Sequence, residues 1–528
     1  MVKARATLPG PARTGKPAGT PRPSGSRAPP VRRLTLPGAR TDIPPAPPVR
    51  WQSGDAADCK SANVGSIPAR TSTLPAEGRR TLEAPPADAP AADAPAARVG
   101  IGAWKEIWHQ RLLFWASAAI VGAVALGFGW ATVSASALFH RLTAPHPWVV
   151  LLVCPAGLAA IAFLTRTYFP GAQGSGIPQA MAAIRMERVE FAQTMLSWRI
   201  AIGKTLLTVA GFAVGASIGK EGPTVQIGCS VMNGLGGLGL KPSRELLRLL
   251  VLAGGAAGIA SAFNTPIAGA VFAVEEMAHY HVDGRIGRRL LVVTAISGMT
   301  MLALVGNVFY FGTVRAALPW GPGWIAVAAL GVIGGLLGGA FSRILTIPMG
   351  RMPGPMRRLR AASPETYAAV CGLVLAGLGL ASGGHAFDAS HGTAVAALHG
   401  VAVPSLAFPL LKWGATIISY LSGIPGGIFA PSLAVGAGLS AWAAPLFPHV
   451  ALSALAMVGM AAYFSGVVQS PITAAVIVLE MTNNMEMTVA ISAAAMLGTA
   501  ISRMVCPKPI YLAMAEQFLA TVRDPGAA

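Results

Sequence analysis

From Trp413 to Leu479 the chain runs 67 residues without an Asp, Glu, Lys or Arg. A spanning helix needs roughly 20 predominantly apolar residues, so this run must hold several apolar segments, divided at Gly and Pro. A second uncharged stretch, Leu112 to Phe139, covers 28 residues and can cross a bilayer by itself. Over the whole chain 53% of residues are hydrophobic, 12% are charged and mean hydropathy is +0.57. That composition excludes a soluble globular domain. The sequence describes an all-α polytopic membrane protein.

Further apolar segments are predicted near 147–166, 199–218, 245–262, 266–279 and 289–311. A second series lies near 323–345, 366–381, 404–421, 428–445, 451–468, 470–482 and 487–504. Several are too short to span a bilayer alone, and such Gly/Pro-interrupted segments are where transporter folds place their binding sites. Trp104 to Arg111 is expected to form an interfacial helix, with Trp at headgroup depth.

The formal net charge is +19, but its distribution speaks against a nucleic-acid partner. Residues 1–100 carry 15 Lys/Arg, 7 Asp/Glu and 18 of the 42 prolines, a composition expected to leave a disordered arm. Much of the remaining excess sits in short loops, Arg351 to Arg360 and Gly284 to Arg289, which suits cytoplasmic exposure by the positive-inside rule. The five cysteines (59, 154, 229, 371, 506) are scattered, and neither they nor the histidines show metal-ligand spacing. No nucleophile-base pair or Walker-type phosphate loop marks an enzyme.

The two series are related. At an offset of 205, Gly254-Gly-Ala-Ala-Gly lies on Gly459-Met-Ala-Ala-Tyr, and Pro266 to Glu275 lies on Pro471 to Glu480, pairing Glu275 with Glu480. At an offset of 208, Gly219-Lys-Glu-Gly-Pro lies on Gly427-Ile-Phe-Ala-Pro. Two matches in one order at nearly one offset indicate an internal duplication. The expected organisation is an arm (1–100), a first membrane repeat (101–315), a second (316–515) and a short tail (516–528).

Proline just inside a helix start is pre-organised for the first turn, so Gly219-Lys-Glu-Gly-Pro223 and Gly427-Ile-Phe-Ala-Pro431 both read as helix N-termini. Gly174-Ser-Gly-Ile-Pro178 is a third. Free N–H groups and the positive dipole end there favour an anion. A carboxylate at membrane depth is costly, but Glu221 at such a terminus can take the anion's place and release it on protonation.

With the late Lys508-Pro-Ile-Tyr511, these three segments resemble, in order, the signature sequences of the CLC chloride channel and transporter family, over about residues 105–515. The resemblance implies two repeats of inverted topology with short, broken and tilted helices, and a homodimer with one pore per subunit. It implies that the Ser175 hydroxyl and Tyr511 phenol hold a central chloride, that the N–H groups of Ile428 and Phe429 line its path, and that those around Glu221 and Gly222 form an outer site. Glu221 matches the family's external gate. Glu276 matches the internal proton-transfer glutamate of its exchangers, whereas Glu275 reads as a structural helix-end residue. The implied function is coupled chloride/proton antiport in the plasma (inner) membrane, with both termini cytoplasmic, chloride as substrate and no cofactor. A passive voltage- or pH-gated chloride channel is the alternative.

Gln179 stands where many members carry glutamate, and Lys220 where arginine is often seen. Lys204 matches a family lysine, with either an electrostatic or a structural role. The large cytoplasmic nucleotide-binding domains of many relatives are not expected.

Overall fold

The computed structural model describes residues 101–523, apart from 187–188, 239–242 and 280–281. The expected arm, residues 1–100, lies outside them. In the first half are α1 (Ile101–Thr143), α2 (Val150–Tyr168), α3 (Ile177–Arg185), α4 (Val189–Met195), α5 (Trp198–Ala213), α6 (Glu221–Leu235), α7 (Arg244–Phe263), α8 (Pro266–Phe272) and α9 (Gly284–Val305). There follow α10 (Pro322–Leu345), α11 (Gly354–Ala362), α12 (Pro364–Ala381), α13 (His391–Leu398), α14 (Phe408–Leu421), α15 (Phe429–Gly438), α16 (Ser440–Ala443), α17 (Leu452–Val468), α18 (Pro471–Thr482), α19 (Thr488–Val505) and α20 (Ile510–Arg523). Seven helices are long and apolar enough to cross a membrane, so the protein is a multi-pass integral membrane protein. The others are short and broken. The interfacial helix expected at 104–111 is continuous with α1, because no proline interrupts the backbone between them.

The duplication is visible as repeated contacts. In the first half Gly228 of α6 abuts Gly254 of α7, so closely that a Cβ on either would strike the other's backbone. In the second, Gly436 of α15 abuts Gly459 of α17 in the same way. Small residues permit this backbone-to-backbone approach where lipid gives helices no hydrophobic drive to associate. Both inner helices then end on a left-handed residue, Asn264 (φ 56°) after α7 and Gln469 (φ 61°) after α17, and a proline opens the next helix.

Those next helices, α8 and α18, lie side by side and antiparallel. Glu480, near the end of α18, accepts hydrogen bonds from Ile267 N (3.2 Å) and Ala268 N (2.6 Å) at the start of α8. Glu275, in a π-helical turn (Ala273–Met277) that prolongs α8, accepts from Ile472 N (3.2 Å), Thr473 N (2.6 Å) and Thr473 Oγ1 (2.7 Å) at the start of α18. Each carboxylate satisfies N–H groups orphaned at the other helix's N-terminus. Equivalent helices running antiparallel make the repeats inverted, an orientation that the sequence alignment itself leaves open.

The candidate anion site and its carboxylates

All three Gly/Pro segments form helix N-termini and converge. Gly174 (φ 62°) and Gly176 (φ 97°) take left-handed turns that flank Ser175 and start α3. Glu221 is the first residue of α6, and Phe429 is the first of α15. Backbone hydrogen bonds stitch the loops across the repeats: Gly174 N to Ile424 O (3.1 Å), Gly426 N to Gly174 O (3.0 Å), and Gly219 with Gly427 reciprocally at 2.7 Å. Gly222 has no room for a side chain, because a Cβ there would overlap the Ser175 hydroxyl. Glycine at 222 therefore lets the Ser175 Oγ sit directly on the start of α6.

The Glu221 carboxylate is fully buried. One oxygen accepts a long hydrogen bond from Ala430 N (3.4 Å), the second residue of α15, and the other lies 3.5 Å from the Tyr310 hydroxyl. The Glu221 carboxylate thus occupies the N-terminus of a helix from the opposite repeat, where an anion is favoured.

Tyr511, in the first turn of α20, is fully buried. Its phenol faces the Ser175 hydroxyl and lies within electrostatic reach of both Glu221 and Glu276. Among the described residues, Ser175 Oγ and Tyr511 Oη have no hydrogen-bond partner beyond one another. Buried hydroxyls are normally satisfied, so two with no other partner, facing one place, leave donors for an anion. The Phe429 ring lies 5.8 Å from that of Tyr511 and 4.7 Å from that of Phe464, and it walls the site with apolar surface.

Glu276 follows Glu275 in the π-helical turn, a distortion found often at functional sites. The two acids point to different ends. Glu275 is spent on capping α18, whereas Glu276 accepts a short hydrogen bond from Ser470 Oγ through one oxygen and leaves the other without a partner. That free oxygen is buried, in the charge field of Arg185.

Lys204 is buried and donates to Gly174 O (2.8 Å) and Gln173 O (3.3 Å). It braces the Ser175 loop and makes no ion pair among the described residues. Gln179 donates to Gln173 O (2.7 Å) in the same loop.

Further residues at the site lie outside the four sequence motifs. Tyr310 comes from the segment after α9 and meets Glu221. Lys220 Nζ lies 5.5 Å from the centre of the Tyr310 ring, and the His391 ring packs edge-on to it at 4.7 Å. Asp388 joins Lys220, Glu221, Tyr310 and His391 around a cavity of about 300 Å³ that reaches the gate. Its carboxylate accepts from Ser136 Oγ (2.7 Å), pairs with His140 (2.9 Å) and accepts from Ser390 N (2.6 Å). Burial would push the Asp388 carboxyl up, but the His140 bond, the Lys412 charge, Ser136 and the Ser390 amide outweigh it and hold the group below the usual carboxylate range. Buried Lys412 of α14 fastens this loop through Asp388 O (2.5 Å) and Ala386 O (3.2 Å), and also donates to Ser217 Oγ (2.8 Å) just ahead of the gate. The signal for Lys412 is its position as the last charge before the 67-residue uncharged run. Nothing comparable points to Tyr310 or Asp388.

Fold and site define a polytopic helical membrane protein in which two inverted repeats direct helix N-termini and unpartnered hydroxyls at one buried place, closed by a carboxylate. Residues 156–503 match the family model described as voltage gated chloride channel, and the chain belongs to that family. It is similar to proteins named H(+)/Cl(-) exchange transporter ClcA. The one from Salmonella typhi is 30% identical over 392 residues, covering 71% of this chain and 80% of that protein. The one from Cronobacter sakazakii is 29% identical over 402 residues, covering 71% and 81%. Among solved structures, a slow cyanobacterial Cl−/H+ antiporter superposes with a TM-score of 0.65 at 24% identity, covering 78% of this chain and 99% of that one. A CLC-type fluoride/proton antiporter gives 0.64 at 23%, covering 78% and 98%. At those identities the structures establish the fold.

Proposed function

We propose that this protein is a transporter that exchanges chloride for protons, as the curated relatives' names state for them. The observation that carries the reading is the Glu221 carboxylate seated at the N-terminus of α15, with a second buried carboxyl, Glu276, also within electrostatic reach of Tyr511. Deprotonated, Glu221 competes with chloride for the N–H groups at that helix start. Protonation removes the charge that holds it there, the side chain leaves, and chloride takes the position. Ser175 and Tyr511 donate to the chloride ion at the central position, and the N–H groups of Ile428, Phe429 and Gly222 line its path. Glu276 takes up protons on the internal side and passes them toward Glu221 by a route apart from the anion's. Chloride is the cargo and no cofactor is invoked.

The same reading places the protein in the plasma (inner) membrane with both termini cytoplasmic, an orientation supported by the arginines at the start of α9 and along α11. It also makes the functional unit a homodimer with one pore per subunit, which single-molecule photobleaching would count.

The test uses purified protein in liposomes with a chloride gradient and the voltage clamped by potassium and valinomycin. Chloride movement should drive protons uphill, and Glu276→Gln should stop the protons while sparing chloride binding. Chloride flux without proton movement would establish the passive channel instead, and absence of anion flux would overturn the site.

A further inference from the structure

A hollow elsewhere in the molecule is lined by none of the residues of the candidate anion site. It lies between the N-terminal ends of α1, α7 and α9 and encloses about 700 Å³. Arg111 of α1 and Arg285, Arg288 and Arg289 of α9 line it. So do the apolar Phe114, Leu246, Leu249 and Val292.

This arrangement is incomplete as it stands. Among the described residues none of the four arginines forms an ion pair. Arg111 lies over the Trp108 ring (5.3 Å), a contact that leaves its charge unneutralised. Asp283 lines an adjoining hollow with Arg285 and Arg288 but pairs with neither. Like charges three and four residues apart on a helix repel, and Arg285, Arg288 and Arg289 have that spacing. They also stand in the first turns of α9, which contain no acid and whose dipole disfavours cations. Four exposed guanidinium groups around one hollow give it a positive potential that favours an anion there. Guanidinium groups match phosphate oxygens in bidentate geometry, and basic pockets between membrane helices at the bilayer surface suit anionic headgroups.

We propose that this cavity binds the phosphodiester headgroup of an anionic phospholipid, with an acyl chain along the Phe114–Leu249–Val292 wall. The apolar wall distinguishes a lipid from free phosphate, which would leave that surface bare. The arm is a poor occupant, since residues 1–100 carry 15 Lys/Arg against 7 Asp/Glu. The inference is independent of the transport reading, because lipid retention needs no flux.

Native mass spectrometry of the delipidated full chain, offered equal phosphatidylglycerol and phosphatidylcholine in detergent, tests it. Each basic residue near an anionic lipid contributes about fivefold in affinity. Wild type should retain phosphatidylglycerol about tenfold or more over phosphatidylcholine, and the triple variant Arg285→Gln/Arg288→Gln/Arg289→Gln should lose that preference. Arg357→Gln/Arg358→Gln/Arg360→Gln on α11 removes the same charge elsewhere and should keep it. Equal loss in both variants would overturn the site as unspecific surface attraction. A second measurement needs no variant: phosphatidylglycerol should raise the melting temperature of wild type and phosphatidylcholine should not. Millimolar inorganic phosphate that reproduces the rise and displaces the lipid would overturn a lipid site in favour of a phosphate site, and no preference in wild type would overturn both.

Discussion

Glu275 and Glu276 are neighbours in sequence with separate tasks, so substituting each in turn should affect different measurements. Glu275→Ala removes the acceptor of Ile472 N, Thr473 N and Thr473 Oγ1. The hydroxyl can rotate to another acceptor, but two N–H groups at the start of α18 are left without one. Each unsatisfied buried group costs about 1–3 kcal/mol, giving about 2–6 kcal/mol. The removed carboxylate was itself buried at a desolvation cost, which brings the expected loss to the lower half of that range, about 2–4 kcal/mol. Glu275→Gln keeps one acceptor oxygen and should lose about half as much. Neither should abolish proton coupling in the protein that remains folded. Glu276→Gln keeps the size and the Ser470 contact, so it should cost under about 1 kcal/mol and stop proton movement entirely. Denaturation in detergent, read beside coupled flux in liposomes, gives both quantities for each variant. Uncoupled but undiminished stability in Glu275→Ala, or intact coupling in Glu276→Gln, would refute the assignment of cap and relay.

Other substitutions address the gate and the anion. Glu221→Ala should leave chloride flux and abolish proton coupling, measured in the same liposomes. Tyr310→Phe removes the hydroxyl that faces the gate; a contact as long as 3.5 Å is worth at most about 0.5–1 kcal/mol, so chloride should bind about two- to fivefold tighter by calorimetry. In a Glu221→Gln background that gain should vanish, whereas a purely structural effect would persist. Gly222→Ala places a Cβ onto Ser175 Oγ and should weaken chloride binding about tenfold or more, measured by calorimetry on protein that still runs as a single species.

Much of this site was legible because it is built from backbone. Glycine and proline mark where helices begin, and the structure brings the three such starts read from the chain together at the candidate site. The Glu275–Glu480 equivalence was legible for the same reason, since duplication preserves a cap on each helix start. What escaped were side chains delivered by tertiary packing. Tyr310 reaches a residue 89 positions away, and Asp388 meets Ser136 across 252, with no periodicity or motif to announce either. The interfacial helix also failed to separate from α1, because amphipathic composition near Trp104 marks membrane depth but supplies no break in the backbone. Of the two roles the sequence left open for Lys204, the contacts show the structural one: it braces the Ser175 loop through Gly174 O and Gln173 O.

The stitching between Gly174 and Pro425 and between Gly219 and Gly427 has a consequence for how substrate can pass. Many transporters open alternately to the two sides by rocking one bundle against the other about a fixed site. Here the Gly/Pro loops of the two halves share backbone hydrogen bonds, and the Glu275 and Glu480 caps bolt α8 to α18. Any rocking at the repeat boundary would have to break at least four main-chain bonds and both caps in a medium that offers no replacement. On the proposed exchange reading, access would then alternate through groups that move without tearing that seam, with the carboxylate arm of Glu221 as the moving part and the two halves as its rigid housing.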